Sequence, residues 1–129
     1  MGGSEAVTLG IRIRVESRHH PERSRPAQSE WFFSYAITIR NEGTRTVRLL
    51  TRHWIITDAN GHIQEIRGPG VVGQQPVLAA GQSFEYTSFC PLQTSFGTMH
   101  GTYQMGTDNN ETFDVEIAPF ALGEPHSIN

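Results

Sequence analysis

The amino-acid sequence predicts an all-β protein, an antiparallel β-sandwich of the fibronectin type III or immunoglobulin-like class with seven or eight strands. Apolar and polar residues alternate along short segments, which is the pattern of a strand with one face in a core. Turn-forming residues separate these segments at regular intervals, and no segment shows the spacing of an amphipathic helix. A β-barrel with similar strands is the alternative architecture.

Apolar residues at odd positions predict the first two strands. Val7 to Val15 has an apolar side chain at every second position, and we interpret it as a single strand. The polar stretch Ser17 to Ser29 contains two prolines and is expected to be a loop. Trp31 to Ile39 repeats the odd-position pattern, and Asn41 to Gly43 predicts a turn after it.

A change of phase in the next strand predicts a β-bulge. Apolar residues occupy odd positions up to Leu49 and even positions from Trp54 onwards. Because a shift of one residue would turn the wrong face to the core, we expect an extra residue near Leu50. Asp58 to Gly61 is typical of a tight turn, and His62 to Arg67 then returns as the second strand of a hairpin.

Loops and strands alternate along the rest of the chain. The sequence predicts, in order, a glycine-rich loop from Gly68 to Pro76, a brief edge strand from Pro76 to Leu78, a strand from Ser83 to Thr87, a loop from Cys90 to Gly97, and strands from Met99 to Met105 and from Phe113 to Ile117. Pro119 is expected to end the last strand, because proline has no amide hydrogen for the ladder.

Length and composition predict one domain, residues 1–129, with a core spanning about residues 6–122 and a tail at residues 123–129. Hydrophobic residues make up 36% of the chain, enough for a modest core. No apolar run approaches the ~20 residues that a membrane helix needs. The first residues lack the pattern of a secretion signal, and the single cysteine, Cys90, rules out an intrachain disulfide. We therefore expect a cytoplasmic protein that does not bind membranes.

Charge is distributed unevenly along the chain. All ten basic residues are arginines, located between Arg12 and Arg67, and the second half carries only acidic charges. Either the surface is two-signed and steers a partner or a second copy, or the opposite charges face each other across strands. The net charge of −3 argues against general nucleic-acid binding. The absence of lysine excludes Schiff-base chemistry and a lysine-containing phosphate loop.

Four motifs in the right order resemble the bacterial ApaG family. They are Thr51 to Asp58, Arg67 to Pro76, Gly81 to Ser88, and Met99 to Met105. The similarity covers roughly Ala6 to Leu122 and implies a fibronectin type III-like sandwich without catalytic residues. It also implies an association with cobalt resistance and magnesium efflux. Eukaryotic domains of this kind are thought to bind other proteins, so the resemblance favours a protein-binding role.

The residues Gly68 to Gly73 form a literal GxGxxG sequence. In dinucleotide-binding folds a helix follows these glycines and its amides bind the pyrophosphate. Here Gln74 to Pro76 and a strand are expected to follow, so we interpret the motif as a connection between strands that uses positive φ angles and close packing. The alternative is an anion-binding nest beside Arg67 that would hold a nucleotide, a pyrophosphate or another phosphorylated small molecule.

Arg52 is expected on the inner side of its strand, near the end of the sheet, as part of a structural ion pair with a carboxylate such as Glu85. The functional alternative is a binding groove between this strand and the glycine-rich loop. The candidate ligand-binding or partner-binding residues are Arg52, Arg67, Gly68, Gly70, Gly73 and Gln74.

No catalytic or metal-binding constellation is predicted. The six histidines show no pair with ligand spacing, and we expect no metal ion and no cofactor. Cys90 is interpreted as a small apolar filler, since a nucleophile would need a base such as His53 or His100 beside it. Asp58 and Glu65 could face each other across their hairpin, but such a pair on a solvated turn is commonplace.

The sequence therefore predicts a non-catalytic binding module for a protein partner of unknown identity. The loops Gly68 to Pro76 and Cys90 to Gly97 are the expected contact regions, and cobalt or magnesium effects are expected to be indirect. An exposed edge strand could support a homodimer, so monomer and homodimer are both compatible with the sequence.

Overall fold

A computed structural model describes residues 2–123 as nine β-strands with two short 3-10 helices, Pro21–Arg23 and Pro26–Gln28. The strands are β1 (Gly2–Thr8), β2 (Ile11–His19), β3 (Trp31–Asn41), β4 (Val47–Asp58), β5 (Ile63–Pro69), β6 (Val77–Leu78), β7 (Ser83–Leu92), β8 (Phe96–Thr107) and β9 (Thr112–Gly123). Apart from Gly123, the predicted tail lies outside the described residues.

Two antiparallel sheets pack face to face. One sheet has the strand order β1-β2-β3-β7, and the other has the order β5-β4-β8-β9 with β6 paired to the start of β4. The predicted antiparallel sandwich of the immunoglobulin-like class is confirmed. Within residues 2–123, no helix is long and apolar enough to cross a membrane.

The single strand predicted from Val7 to Val15 is wrong, because two strands meet there in a hairpin. Thr8 pairs with Ile11, and the two residues between them, Leu9 and Gly10, have φ angles of +48° and +83°. Positive φ at both central residues matches the twist of a two-residue hairpin. This turn raises the strand count to nine. It also leaves Val7 and Leu9 exposed, although the alternation suggested a buried set.

The β4–β8 ladder and the β8–β9 ladder each contain one irregularity, and the sequence predicted the one in the β4–β8 ladder. The register of β4 against β8 shifts between Leu49 and Thr51, which confirms the bulge at Leu50. A second shift separates Met99 and Gly101 on β8 and places one extra residue on β9. Pro119 lies in this second bulge, where its missing amide hydrogen costs no ladder bond. The prediction that Pro119 ends the strand is therefore wrong, and β9 continues to Gly123.

The loop predicted from Cys90 to Gly97 is mostly strand. β7 continues through Pro91 to Leu92 by pairing with Trp31–Phe33 of β3, and β8 already begins at Phe96. Pro91 is tolerated because β7 is the edge strand of its sheet. Only the short turn between Leu92 and Phe96 remains of the predicted loop.

The core lies between the inner faces of the two sheets and has an aromatic centre. Trp54 of β4 contacts Tyr35 of β3, Tyr103 of β8 and Phe120 of β9 with ring centroids 5.3–6.3 Å apart. These rings bury large apolar areas, and their edge-to-face geometry adds favourable contact energy. Trp54 thus occupies the core position that its sequence pattern predicted.

The two sides of the sandwich differ. On one side β1 packs against β9, where the Ser4 hydroxyl donates a hydrogen bond to the Ala118 carbonyl at 2.7 Å and the Glu116 amide donates to the Thr8 hydroxyl at 3.1 Å. On the other side, the edge strands β5 and β7 face each other, and neither pairs with a second strand among residues 2–123. We call the side bounded by β5 and β7 the open side.

Asn41 is a buried polar side chain that joins three segments at one end of the sandwich. Its Nδ2 donates hydrogen bonds to the carbonyl oxygens of Arg45 and Leu78 at 2.7 and 3.0 Å, and its Oδ1 accepts one from the Gly43 amide at 3.0 Å. Only 1% of the residue is exposed. The predicted turn after β3 is therefore held by a side chain that also fixes β6.

Asn41→Ala is expected to lower the free energy of unfolding by about 2–4 kcal/mol, because it leaves buried backbone groups without partners. Urea denaturation followed by tryptophan fluorescence measures the change. Asn60→Ala, in an exposed turn, is the matched control and should shift stability by less than about 0.5 kcal/mol. Equal effects of the two substitutions would contradict the bridging role of Asn41.

Candidate functional site

Arg52 holds the glycine loop, residues 68–76, against β4. Its side chain lies on the same face of β4 as Trp54 and is partly buried. Its Nη1 donates hydrogen bonds to the carbonyl oxygens of Pro69 and Gly70, both at 2.9 Å. The predicted ion pair with Glu85 is wrong, because backbone carbonyls satisfy the guanidinium while Glu85 lies on the exposed face of β7 beside Thr38.

Backbone hydrogen bonds close the glycine loop on itself. The Gly70 amide donates to the Leu50 carbonyl, and the Val71 and Gln74 amides each donate to the other's carbonyl, all three at 2.8 Å. No helix follows; the loop leads into β6, as the sequence predicted. Three amides that an anion-binding nest could have offered are therefore already used within the protein.

Two of the predicted site glycines allow this close packing. Gly70 has a φ angle of +59°, and a Cβ there would overlap the carbonyl oxygen of Gln74. Gly68 lies directly opposite Arg52 in the β4–β5 ladder, and a Cβ on it would lie 3.0 Å from Arg52 Nη2. Gly73 also has a positive φ, +80°, but no atom lies within 4 Å of the position of its Cβ.

Arg67 and Gln74 do not converge with Arg52. Arg67 pairs with His53 in the ladder, so it projects from the opposite, outer face of the sheet. Its side chain is 74% exposed, with Nη2 3.5 Å from Glu65 Oε1. Gln74 takes part in the loop through its backbone and is exposed. The structure thus brings Arg52 together with Gly68 and Gly70, and it separates this group from Arg67.

His53 and Glu65 form a polar pair on that outer face. His53 Nε2 lies 2.8 Å from Glu65 Oε1, and this hydrogen bond, together with Arg67, holds the pKa of Glu65 below its usual value. Asp58 does not face Glu65 as the sequence suggested. It caps its own turn, where Oδ1 accepts hydrogen bonds from the Asn60 and His62 amides at 2.8 and 3.0 Å.

Tyrosine hydroxyls link the two sheets next to Arg52. Tyr103 lies opposite Arg52 in the β4–β8 ladder, and its hydroxyl is hydrogen-bonded to the hydroxyl of Tyr86 on β7. Burial raises the pKa of both tyrosines, and the nearby Arg52 charge opposes the rise. Both hydroxyls therefore stay neutral at physiological pH and act as a structural hydrogen bond between the sheets.

Cys90 is buried on the inner face of β7. Burial raises the pKa of its thiol to about 11, so the reactive thiolate is scarcely populated near pH 7. Neither histidine proposed as a base lies on its sheet, since His53 is on β4 and His100 on β8. The thiol fits the apolar filler that the sequence predicted.

A cleft of about 610 Å³ lies at one end of the open side, between the β4–β5 hairpin and the end of β7. No local sequence pattern indicates this cleft, because its walls come from segments that are distant in the chain. Its apolar lining residues are Trp31, Phe32, Ile56, Ile63, Pro91 and Leu92, and its charged ones include Arg23, Glu30 and Asp58.

An arginine stacked on aromatic rings forms one rim of this cleft. The Arg23 guanidinium carbon lies 4.0 Å from the ring centroid of Phe32 and 5.4 Å from that of Phe89, and the two rings stack at 5.5 Å. Phe32 and Phe89 lie on the outer face of their sheet, and Phe89 is 51% exposed. Large aromatic residues at polar positions of the alternation were the sequence signal that could have revealed this surface.

Comparison with known proteins identifies the family. The sequence pattern of the ApaG domain matches residues 21–107. The chain belongs to the ApaG family. It is 52% identical over 120 residues to the protein ApaG of Rhodopseudomonas palustris strain TIE-1, covering 93% of this chain and 92% of that protein. It is 52% identical over 126 residues to the protein ApaG of Anaeromyxobacter dehalogenans, covering 98% of this chain and 99% of that protein.

A solved structure supports the same assignment. The crystal structure of an ApaA protein from Bordetella pertussis superposes with a TM-score of 0.87 at 49% identity, covering 89% of this chain and 94% of that one. The family resemblance inferred from the motifs is therefore confirmed. The region matched by the ApaG domain includes Arg52, the glycine loop that Arg52 holds, and Arg23 at the rim of the cleft.

Gly70→Ala is expected to destabilise the protein by more than about 2 kcal/mol, because the new methyl group collides with the Gln74 carbonyl in addition to the strain of positive φ. Gly73→Ala, with the same strain but open space, should cost only about 1 kcal/mol. Chemical denaturation compares the two variants. Similar losses would mean that close packing at Gly70 does not govern the loop.

The buried thiol predicts a pH dependence of stability. The folded-state pKa of Cys90 is raised to about 11, whereas an unfolded cysteine titrates near ~8.5. Between these values the unfolded chain releases the proton first, so the free energy of unfolding falls as pH rises, by up to about 1.4 kcal/mol per pH unit. Cys90→Ala is expected to flatten this fall in urea titrations between pH 8 and 10. An unchanged slope would contradict the assignment.

Proposed function

We propose that this protein is a non-catalytic binding module that engages a protein partner through the open side of its sandwich. One observation carries the proposal. Two strand edges, β5 and β7, border a cleft of about 610 Å³ whose walls are largely apolar. An unpaired edge offers backbone donors and acceptors to an added strand, and a neighbouring apolar cleft offers a place for its side chains.

Exposed apolar side chains at this location also support a partner. Ile63 of β5 is 63% exposed and lines the cleft, and Phe89 of β7 is 51% exposed and contacts Arg23 and Phe32 at its rim. Isolated exposed apolar residues are common, but a cluster beside a concave surface is typical of an interaction site. By contrast, the outer face of β1 and β2 carries ion pairs such as Arg12 with Glu5 and Glu42.

The groups that could perform catalysis are held in structural roles, which supports a binding function. The Cys90 thiol is protonated, the Tyr86 and Tyr103 hydroxyls bond to each other, and His53 is engaged by Glu65. Among residues 2–123, no group of three or more histidine, cysteine or acidic side chains is placed to hold a metal ion. An effect on cobalt or magnesium homeostasis would therefore act through the partner, in the cytoplasm.

Phosphate binding by the glycine loop is the alternative function. Because the Gly70, Val71 and Gln74 amides already donate to carbonyl oxygens, such a site would depend on the other amides of the loop and on Arg67. Arg52 would contribute only if it released the Pro69 and Gly70 carbonyls. The partner-binding proposal needs no such rearrangement.

Site-specific photocrosslinking in living cells tests the proposed function. A photoreactive phenylalanine analogue at position 63 or 89 should capture a discrete protein partner, since Ile63 lines the cleft and Phe89 is exposed beside Arg23 at its rim. The same analogue at Glu16, exposed on the outer face of β2, is the control and should capture little. No crosslinks at either test position, or the same products from the control, would overturn the proposal.

A further inference from the structure

Building on the proposed function, we propose that the cleft receives an extended segment of the partner, with a bulky apolar side chain between its walls and an adjacent carboxylate on Arg23. The apolar walls of the cleft, the contacts of Arg23 and the free edge of β7 support this mode of recognition.

The walls of the cleft suit one bulky apolar side chain. Trp31 and Leu92, cross-strand neighbours on β3 and β7, form one wall, while Ile56 and Ile63 of the β4–β5 hairpin form the other. The volume, about 610 Å³, lies within the range of small-molecule sites and is ample for one such side chain. Burying an aromatic or large aliphatic group there removes apolar surface of both molecules from water.

Arg23 is a positive charge at the rim of these walls, and its described side-chain contacts are with aromatic rings. Its guanidinium carbon lies 4.0 Å from the centroid of the Phe32 ring, and a ring face does not occupy all five N–H donors of an arginine. No acidic side chain among residues 2–123 lies within ion-pair distance of Arg23. The neighbouring carboxylate of Glu22 instead lies 3.4 Å from His20 Nδ1. A planar guanidinium held in this way is suited to a carboxylate, which it can bind through two parallel hydrogen bonds.

The acidic residues of the cleft determine where in the cleft the partner's carboxylate can bind. Asp58, on the hairpin wall, already accepts hydrogen bonds from two amides of its own turn. Glu30 is exposed and would repel an acidic ligand. The complementary partner therefore places its carboxylate at Arg23 and keeps the rest of the segment uncharged near Glu30.

The edge of β7 gives the partner segment its conformation. β7 runs along the cleft to Leu92, and its outer edge pairs with no strand among residues 2–123. A segment that adds to this edge is extended, so alternate side chains point to the same side. One such side chain enters the cleft. The next residue of the segment points to the opposite face, and its carboxylate lies at the rim beside Arg23.

N-acetyl-L-phenylalanine, which combines an aromatic side chain with a carboxylate, is a minimal probe of this site. Titration into ¹⁵N-labelled protein should shift amide signals of Trp31, Ile63 and Leu92 in a saturable way. N-acetyl-L-phenylalanine amide, which lacks the charge, is the matched control ligand and should bind about fivefold more weakly. Arg23→Gln should weaken the acid by the same factor without affecting the amide.

Glu30→Gln provides the opposite control, since it removes the repelling charge and should leave binding of the acid unchanged or tighter. Equal affinity of acid and amide, indifference to Arg23→Gln, or shifts confined to other surfaces would overturn this inference. If crosslinks form at positions 63 or 89 while the acid does not bind, the partner proposal stands and the chemistry assigned to the cleft is wrong. Binding of the acid without crosslinks would refute the protein partner and leave the cleft as a site for small carboxylates.

Discussion

The hydrogen bonds from Arg52 to the Pro69 and Gly70 carbonyls are the interaction on which the open side of the sandwich depends. A guanidinium on the inner face of a sheet needs partners, and here the backbone of the glycine loop supplies them. The absence of a side chain at Gly68 makes room for the guanidinium, and the tight closure at Gly70 positions the carbonyls. The GxGxxG sequence is thus explained by the close packing of the glycine loop against Arg52, and β6 follows the loop where a dinucleotide-binding fold would have a helix.

The same interaction accounts for the difference between the two sides of the molecule. Where β1 meets β9, direct hydrogen bonds bring the sheets together. Where β5 faces β7, Arg52 and the Tyr86–Tyr103 hydrogen bond occupy the inner space and connect the sheets through polar groups. The sheets can remain apart on this side without exposing the aromatic centre around Trp54, and the cleft forms where they do.

Much of the fold was predictable because alternation reports which face of a strand is buried. The bulge at Leu50 followed from a phase change, and the family followed from four local motifs. The hairpin at Leu9–Gly10 was missed because a two-residue turn leaves the alternation uninterrupted. Pro119 is expected to end its strand and Pro91 lies in an expected loop, although a bulge accommodates Pro119 and an edge strand accommodates Pro91. The cleft and the partners of Arg52 depend on contacts between distant segments, which no local pattern encodes.

The positions of the prolines have a consequence for aggregation. β5 ends at Pro69, β7 carries Pro91 and β9 carries Pro119, so three of the edge strands contain a residue that cannot donate a backbone hydrogen bond. Polymerisation of identical chains into fibrils requires long, uninterrupted strand edges that can pair between molecules. These prolines interrupt the edges of β5, β7 and β9, so an added strand can pair along only part of each of these edges, which disfavours polymerisation of identical chains.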